Sequence, residues 1–384
     1  MTAKKPGYHQ FNTNETLNFM LNRLSWDIEE ERLREIGQNV STLDNFVEKM
    51  LLEARLAEDE NRYLQAGFFY RGAEFFMSED HPDKALAYDK FMEYFYQETH
   101  GASEQHSLVD FAGGKLGVID IPAEGDEKGT LLFCSGFDGL IEELYGIGLS
   151  FAAAGYRVVL FEGTGQGSAL RRYHLPMTHD WEKPVAAVLD ALAIESCTLI
   201  GMSLGGYLAP RAAAFEPRVK QLVAWGAMQD FTAALKASRG KVVGGLMFKL
   251  VDMGCKKTIN RLAARMMATD ETAKWSINHG MHTSGQTTPF GFLKWMLDFN
   301  LNDTAQQIEQ DAIIIMGEND HLVPVEQMRI QADAMINAKS VTTRLVTAKE
   351  HGAQHCQIGN PDLVIDEILR WMDGLVRRDL RIAS

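Results

Sequence analysis

Short apolar runs recur along the chain between about residues 107 and 346, and their composition predicts β-strands. Most of these runs are almost entirely apolar and do not alternate between apolar and polar residues. This pattern is typical of strands that are covered on both faces of a sheet. The predicted strands are SLVDF (107–111), LGVIDI (116–121), TLLFC (130–134), RVVLF (157–161), CTLIG (197–201), QLVAW (221–225), AIIIM (312–316) and TTRLV (342–346).

Segments with helical spacing of apolar residues separate most of these strands. They include 140–154, 179–194, 204–215 and 325–337. Alternation of buried strands with helices predicts an α/β fold with a doubly wound, mostly parallel sheet. The first two strands differ, because the glycine pair at 113–114 predicts a turn that joins them as a hairpin.

The pattern also divides the chain into regions. Residues 1–104 show only helical periodicity and predict an N-terminal helical domain. Residues 105–229 and 306–384 carry the strands and predict the α/β core. Residues 230–305 break the alternation of strands and helices, because they contain only helical segments, which are rich in Met, Trp and Phe. We expect this interval to be a helical cap insertion over the strand ends.

Charge and composition limit the partners of this chain. The 384 residues carry a formal net charge of −14 and show no basic stripe, so we expect neither nucleic acid nor an anionic membrane as partner. No apolar run approaches the roughly 20 residues that cross a bilayer. No apolar segment follows the first lysines, so we expect no signal peptide. The four cysteines lack CxxC spacing, so we expect no metal site, no disulfide framework and a cytoplasmic location.

The most informative motif is Gly201-Met202-Ser203-Leu204-Gly205, directly after a predicted strand and before a predicted helix. This is the nucleophile-elbow pattern, in which a serine occupies a cramped strand-to-helix turn. Glycines allow the close backbone approach that such a turn needs. The motif predicts that Ser203 is a nucleophile near the N-terminus of a helix, where backbone N–H groups stabilise negative charge.

A serine hydroxyl needs a base that removes its proton, and a third group that orients the base. Sites of this kind place an acid and then a histidine after the serine in the chain. Asp320 follows the strand 312–316 and is the expected acid, with Glu318 as the alternative. His355 lies near the start of the last helix and is the expected base. His351, in the same loop, is the alternative.

Two backbone N–H groups are expected to form an oxyanion hole. One belongs to Leu204, immediately after the serine, and the other to Phe137 in the loop 135–139, whose small residues allow close approach of a substrate. A second glycine-rich loop, 162–167, lacks the GxGxxG spacing of a dinucleotide site. We expect it to be a tight turn beside the pocket, and we expect no cofactor.

The ordered set of motifs resembles one branch of the α/β-hydrolase superfamily. This branch contains 2,6-dihydroxypseudooxynicotine hydrolase, fungal pigment-pathway hydrolases that shorten polyketides, and relatives labelled acylaminoacyl-peptidase-like. The resemblance extends over most of the chain. It rests mainly on the segments 135–144, 161–169, 180–192, 201–231 and 275–297 and on the GEND and HCQIGN stretches.

The resemblance implies an N-terminal helical domain that covers the active site together with the cap, and it implies a homodimer. By position it supports Ser203, Asp320 and His355, because a His-Cys pair in the last loop recurs in these relatives. Carbon–carbon bond hydrolases of this group use a further acid near the cap, for which segment 227–240 offers Asp230.

We therefore expect a serine hydrolase that cleaves an ester, thioester or related acyl bond of a medium-sized, partly apolar small molecule. Asp138, Trp275 and His282 are the residues expected to line its pocket. Two alternatives use the same scaffold for other chemistry: retro-Claisen hydrolysis of a 1,3-diketone, and acyl transfer in a polyketide or aromatic pathway. A third alternative is a non-catalytic binding protein.

Overall fold

The computed structural model describes residues 6–238 and 240–383. Its strands are β1 His106–Phe111, β2 Gly114–Ile121, β3 Thr130–Cys134, β4 Arg157–Phe161, β5 Cys197–Met202, β6 Val219–Trp225, β7 Asp311–Gly317 and β8 Ser340–Val346. Its α-helices are α1 Glu15–Leu24, α2 Glu30–Asn39, α3 Leu43–Asp59, α4 Tyr63–Phe76, α5 Lys84–Glu98, α6 His100–Gln105, α7 Tyr145–Ala153, α8 Gly167–Arg171, α9 Glu182–Ala191, α10 Gly205–Ala213, α11 Thr232–Ser238, α12 Lys241–Asp252, α13 Lys256–Met267, α14 Glu271–Ser284, α15 Pro289–Met296, α16 Glu326–Ala334 and α17 Pro361–Ala383.

The strands form one sheet in the order β1-β2-β4-β3-β5-β6-β7-β8. The strands β3 to β8 pair in parallel, whereas β1 with β2 and β2 with β4 pair antiparallel. The predicted hairpin is confirmed by the register of β1 and β2, which pairs Phe111 with Gly114. The chain turns there through positive φ values of 49° at Ala112 and 82° at Gly113.

The apolar runs that predicted the strands are buried in the sheet. Every residue of β7 is buried, as are the first five residues of β5. Helices pack on the sheet through large apolar side chains, among which Trp181 and Tyr207 have no exposed surface. Because β3 to β8 run in parallel, their carboxyl ends lie at one edge of the sheet, and the loops that leave them meet there. This edge carries the candidate site.

The chain separates into two compact units. Of the described residues, those within 105–249 and 293–383, together with residues 6 and 7, form one unit, which contains the sheet. The other comprises Tyr8–Glu104 and Leu250–Phe292. The domain boundaries drawn from the sequence, with a separate cap at 230–305, stay a prediction.

The second unit is helical, and its core is rich in aromatic side chains. Phe46 and Phe76 meet edge to face at 5.3 Å between ring centroids, as do Phe75 and Phe76 at 4.9 Å. A buried ion pair joins Arg71 to Glu74 at 2.6 Å. Among the described helices of both units, none has the length and apolar character that crossing a membrane requires.

Candidate active site

Ser203 occupies the sharp turn between β5 and α10. Its φ of 63° lies in the left-handed region, which a residue with a side chain adopts only under constraint. The Ser203 N–H donates to the Trp225 carbonyl at 2.9 Å, which ties the turn to the neighbouring strand β6. Ser203 is partly exposed.

Glycines make this turn possible by letting backbone segments touch. A Cβ atom on Gly201 would overlap the carbonyl of Gly205, and one on Gly206 would overlap the carbonyl of Gly226. By contrast, a Cβ on Gly205 would lie 3.3 Å from the Ser135 carbonyl oxygen, a tight contact but not an overlap. The sequence pattern emphasised Gly201 and Gly205, whereas the packing makes Gly206 the more demanding second position.

The structure joins Ser203 to His355 and Asp320 in a chain of hydrogen bonds. Ser203 Oγ lies 2.8 Å from His355 Nε2, and His355 Nδ1 lies 2.7 Å from Asp320 Oδ2. The other carboxylate oxygen, Oδ1, accepts hydrogen bonds from the backbone N–H groups of Leu322 and Val323, both at 2.9 Å. The His355 and Asp320 side chains are only 4% and 1% exposed. Both are therefore held in one orientation.

Backbone contacts bring the two loops that carry the acid and the histidine together. Gly317 at the end of β7 lies against the carbonyl of Ala353, where any side chain would overlap it. The Asn319 N–H donates to the same carbonyl at 2.8 Å. The indole of Trp225 donates to the Cys356 carbonyl at 3.2 Å, which fixes the histidine loop to the sheet.

The two residues that the sequence left as alternatives, Glu318 and His351, are both exposed. Glu318 directs Oε1 to the backbone N–H of Ala348, at 2.6 Å, at an exposed position. His351 is exposed and ends a short 3-10 helix with a φ of 62°. Among these four residues it is Asp320 and His355 that the fold brings to Ser203.

The pair of His355 and Asp320 is electrostatically coupled. Burial lowers the pKa of His355, but the negative charge of Asp320, the hydrogen bond to Asp320 and the interactions with Cys356 together outweigh burial and raise the pKa well above its ordinary value. Burial raises the pKa of Asp320, but the charge of His355 and hydrogen bonds to the carboxylate bring it below its ordinary value. Asp320 is therefore an anion that favours the imidazolium form of its neighbour.

The loop after β3 lies directly against the serine. A Cβ atom on Gly136 would stand 2.7 Å from both Leu204 N and Ser203 Cβ, so only glycine allows this approach. The loop closes on itself through a hydrogen bond from Ser135 Oγ to the Gly139 carbonyl at 2.7 Å. Leu204 occupies the N-cap position of α10, and the N–H of an N-cap residue has no acceptor within its own helix. The backbone of both expected oxyanion donors, Phe137 and Leu204, thus belongs to segments beside Ser203.

Sequence reasoning missed Gln166. This residue lies in the loop 162–167 and is 2% exposed. Its Nε2 donates to the carbonyls of Ser135 and Gly136 at 3.0 and 2.6 Å. A long polar residue inside a glycine-rich turn beside the site was the available signal.

The three predicted pocket residues lie in different parts of the fold. Asp138 is half-buried in the loop after β3. Trp275 and His282 lie on α14 in the helical unit. There the indole of Trp275 donates to the Phe75 carbonyl at 2.8 Å, and His282 Nε2 lies 3.3 Å from Glu79 Oε2. A pocket role for these three residues stays a prediction.

Asp230, the further acid named from the resemblance, is engaged with neighbouring donors. Its Oδ1 accepts from the backbone N–H of Thr232 at 2.8 Å and from its hydroxyl at 2.6 Å. Its Oδ2 lies 3.3 Å from Lys236 Nζ. In the part of the chain that the structure describes, no group of three or more His, Cys, Asp or Glu residues is arranged to hold a metal ion.

A parallel sheet with a serine at a strand-to-helix turn, and an aspartate and a histidine on later loops, defines the α/β-hydrolase class. The family model for the alpha/beta hydrolase fold matches residues 129–355. The chain therefore belongs to the α/β-hydrolase family and is an enzyme.

Individual relatives agree with the branch expected from the sequence. The hydrolase acrC of Aspergillus aculeatus is 26% identical over 347 residues, which cover 81% of this chain and 80% of acrC. The 20-hydroxy-prefusarin hydrolase FUS2 of Gibberella moniliformis is 28% identical over 269 residues, which cover 65% of this chain but only 63% of FUS2. The structure of 2,6-dihydroxy-pseudo-oxynicotine hydrolase is similar in fold, with a TM-score of 0.60 and 18% identity over 91% of this chain and 94% of that chain. The expected resemblance is confirmed.

Proposed function

We propose that this hydrolase cleaves an ester or related acyl bond of a medium-sized, partly apolar small molecule through an acyl-serine intermediate. The observation that carries the proposal is the continuous hydrogen-bonded chain from Ser203 through His355 to Asp320. Within this chain the serine is partly exposed and the other two side chains are buried.

In the first half of the reaction, His355 Nε2 takes the proton of Ser203 as Oγ attacks the carbonyl carbon of the substrate. The carbonyl π electrons move to oxygen, and the resulting oxyanion accepts hydrogen bonds from the N–H groups of Leu204 and Phe137. The intermediate then collapses, and the leaving group departs with the proton from His355. The acyl group remains on Ser203.

In the second half, His355 takes a proton from water, and the hydroxide attacks the acyl carbon. The second tetrahedral intermediate collapses to the acid product, and the proton returns to Ser203. Asp320 remains ionised throughout. It holds His355 in the tautomer with a proton on Nδ1 and stabilises the imidazolium that forms twice per turnover.

Aromatic side chains around the loop after β3 support a substrate with an apolar or conjugated group. The Phe137 ring lies 5.5 Å from the Phe231 ring and 6.2 Å from the Trp295 ring, between centroids. All three residues are partly exposed. Aromatic faces next to backbone donors suit a flat acyl group. A relative named for 20-hydroxy-prefusarin also supports a small organic substrate.

The state of Asp230 favours ester or thioester cleavage over the carbon–carbon alternative. An acid that manages a substrate ketone must have a carboxylate oxygen to offer. Oδ1 of Asp230 already accepts two hydrogen bonds from Thr232 and Oδ2 pairs with Lys236, so a substrate ketone would compete with these donors for the carboxylate. We therefore rank hydrolysis of a 1,3-diketone second. Acyl transfer would use the same acyl-serine intermediate, with an acceptor other than water attacking the acyl carbon.

A fluorophosphonate probe and a substrate panel test the proposal. The wild-type protein should be labelled at Ser203, and Ser203→Ala should not be labelled. The control variant Ser150→Ala, altered at an exposed helical serine, should be labelled like the wild type. If folded wild-type protein does not react with the probe, the proposed hydrolase activity is ruled out and a binding protein is favoured. Rates with p-nitrophenyl esters, acyl thioesters and 1,3-diketones would then separate the chemistries, and faster turnover of the diketones would overturn the ranking.

A cytoplasmic location and a homodimer belong to the same proposal. All four cysteines are described and none is in a disulfide, which is compatible with a reducing compartment. Burial raises the pKa of both Cys134 and Cys197 to about 12, so these thiols stay protonated and unreactive. Cell fractionation tests the location, and sedimentation velocity tests the dimer that the family resemblance implies.

A further inference from the structure

Gln166 connects the loop after β4 to the loop that carries Phe137. Its Nε2 donates to two carbonyls of that loop, Ser135 O at 3.0 Å and Gly136 O at 2.6 Å. Its Oε1 accepts from the backbone N–H of Gly163 at 2.9 Å. This pattern fixes the orientation of the amide, because reversing it would set oxygen against two carbonyls and nitrogen against an N–H.

The carbonyl of Gly136 and the N–H of Phe137 belong to the same peptide group. A peptide group is planar and trans, so its C=O and N–H point in opposite directions. A hydrogen bond that fixes the carbonyl therefore also fixes the direction of the N–H. It further polarises the peptide and makes the N–H a stronger donor.

We propose that Gln166 is a positioning residue for the oxyanion hole. By holding the Gly136 carbonyl, its amide orients the Phe137 N–H toward the oxygen that becomes negative at the serine. The inference rests on the proposed function, because only a reaction through an oxyanion needs this donor. The contact of Gly136 with the serine supports it, since this peptide lies against Ser203 and Leu204.

The loop that carries Gln166 is itself firmly held. Glu162, which is 1% exposed, accepts a hydrogen bond from the backbone N–H of Ser168 at 2.9 Å and another from its hydroxyl. A Cβ atom on Gly163 would overlap the Trp181 ring, and one on Gly167 would overlap Glu162. The glycines of this loop thus allow the tight packing that places the amide of Gln166 between the two carbonyls.

Gln166→Met tests the inference, because methionine keeps the length of the side chain and removes the amide. We expect kcat for an ester to fall about 10- to 100-fold, since one of two oxyanion donors is misplaced while that of Leu204 remains. KM should change less than about threefold, because the donor acts in the transition state. Affinity for a boronic acid that mimics the oxyanion should fall together with kcat.

Gln310→Met is the matched control. The Nε2 of Gln310 also donates to two carbonyls, Ala213 O at 2.8 Å and Val219 O at 3.2 Å, next to the first residue of β7 at the opposite edge of the sheet. This variant should lose comparable thermal stability and keep kcat. If both variants lose kcat equally, or if folded Gln166→Met retains wild-type kcat and boronic acid affinity, Gln166 is not a positioning residue.

Gln166→Glu gives a second test that does not depend on the methionine variant folding. An ionised glutamate sets a negative oxygen against two carbonyls, whereas the protonated acid donates one hydrogen bond. The ratio of its kcat to that of the wild type should rise as the pH falls, and a constant ratio would contradict the inference. Wild-type protein that neither reacts with the fluorophosphonate nor hydrolyses any ester would instead refute the proposed function.

Discussion

Ser203 Oγ lies 2.8 Å from His355 Nε2 although 152 residues separate the two along the chain. The sheet closes this distance, because β5 and the loop beyond β8 both open at the carboxyl edge of the parallel strands. The contact depends on backbone geometry at both ends: Ser203 has a φ of 63° and Cys356, next to the histidine, a φ of 53°.

The backbone strain at Ser203 should have a measurable effect on the free energy of unfolding. Ser203→Gly and Ser203→Ala both remove the hydroxyl, but only glycine adopts a φ of 63° without steric cost. We expect the glycine variant to exceed the alanine variant by about 1 kcal/mol in the free energy of unfolding. Urea titration followed by circular dichroism measures the difference, and equal midpoints would show that the turn is not strained.

The identity of the base should appear in a comparison of two histidine variants. His355→Ala should lower kcat by about 10⁴- to 10⁶-fold, because members of such a constellation act as a unit. His351→Asn is the control, since asparagine tolerates the positive φ at that exposed position. It should leave kcat/KM within about twofold of the wild type, as expected for a surface change. A larger loss in His351→Asn than in His355→Ala would reverse the assignment.

The coupling between His355 and Asp320 predicts a pH dependence. Because the pKa of His355 is raised, its imidazolium form, which cannot accept the proton of Ser203, persists to a higher pH than in an ordinary histidine. Activity should therefore increase as the pH rises through this pKa. Asp320→Asn removes the charge that raises it, so the acidic limb of the pH–rate profile should move to lower pH while kcat falls about 10⁴-fold. Glu318→Gln, which changes an exposed acid on the same loop, should leave the limb in place.

Gly206 and Gly146 each occupy the second position of a helix. Their surroundings predict opposite effects on the free energy of unfolding when each is replaced by alanine. Gly206→Ala should lower the free energy of unfolding by about 3 kcal/mol or more, because the new methyl group overlaps the Gly226 carbonyl. Gly146→Ala, in α7 with nothing near its Cβ position, should raise it by about 0.5–1 kcal/mol. Thermal denaturation of both variants tests this, and a tolerated Gly206→Ala would refute the packing argument.

The sequence by itself determined the strands and the turn that carries Ser203. These features have local causes. A short, continuous apolar run favours a buried strand, and a cramped turn needs glycine near the serine. The order of serine, acid and histidine could also be recognised in the sequence, since it follows from the order of the strands that precede these residues.

Only the tertiary structure decided between residues that share a loop. His355 rather than His351 contacts Ser203, and Asp320 rather than Glu318 contacts His355, because backbone contacts between distant loops set the directions of these side chains. The same holds for Gln166, whose partners lie 30 and 31 residues away in the chain. Hydrogen bonds between loops depend on how the sheet brings strand ends together, and no periodicity along one segment encodes that geometry.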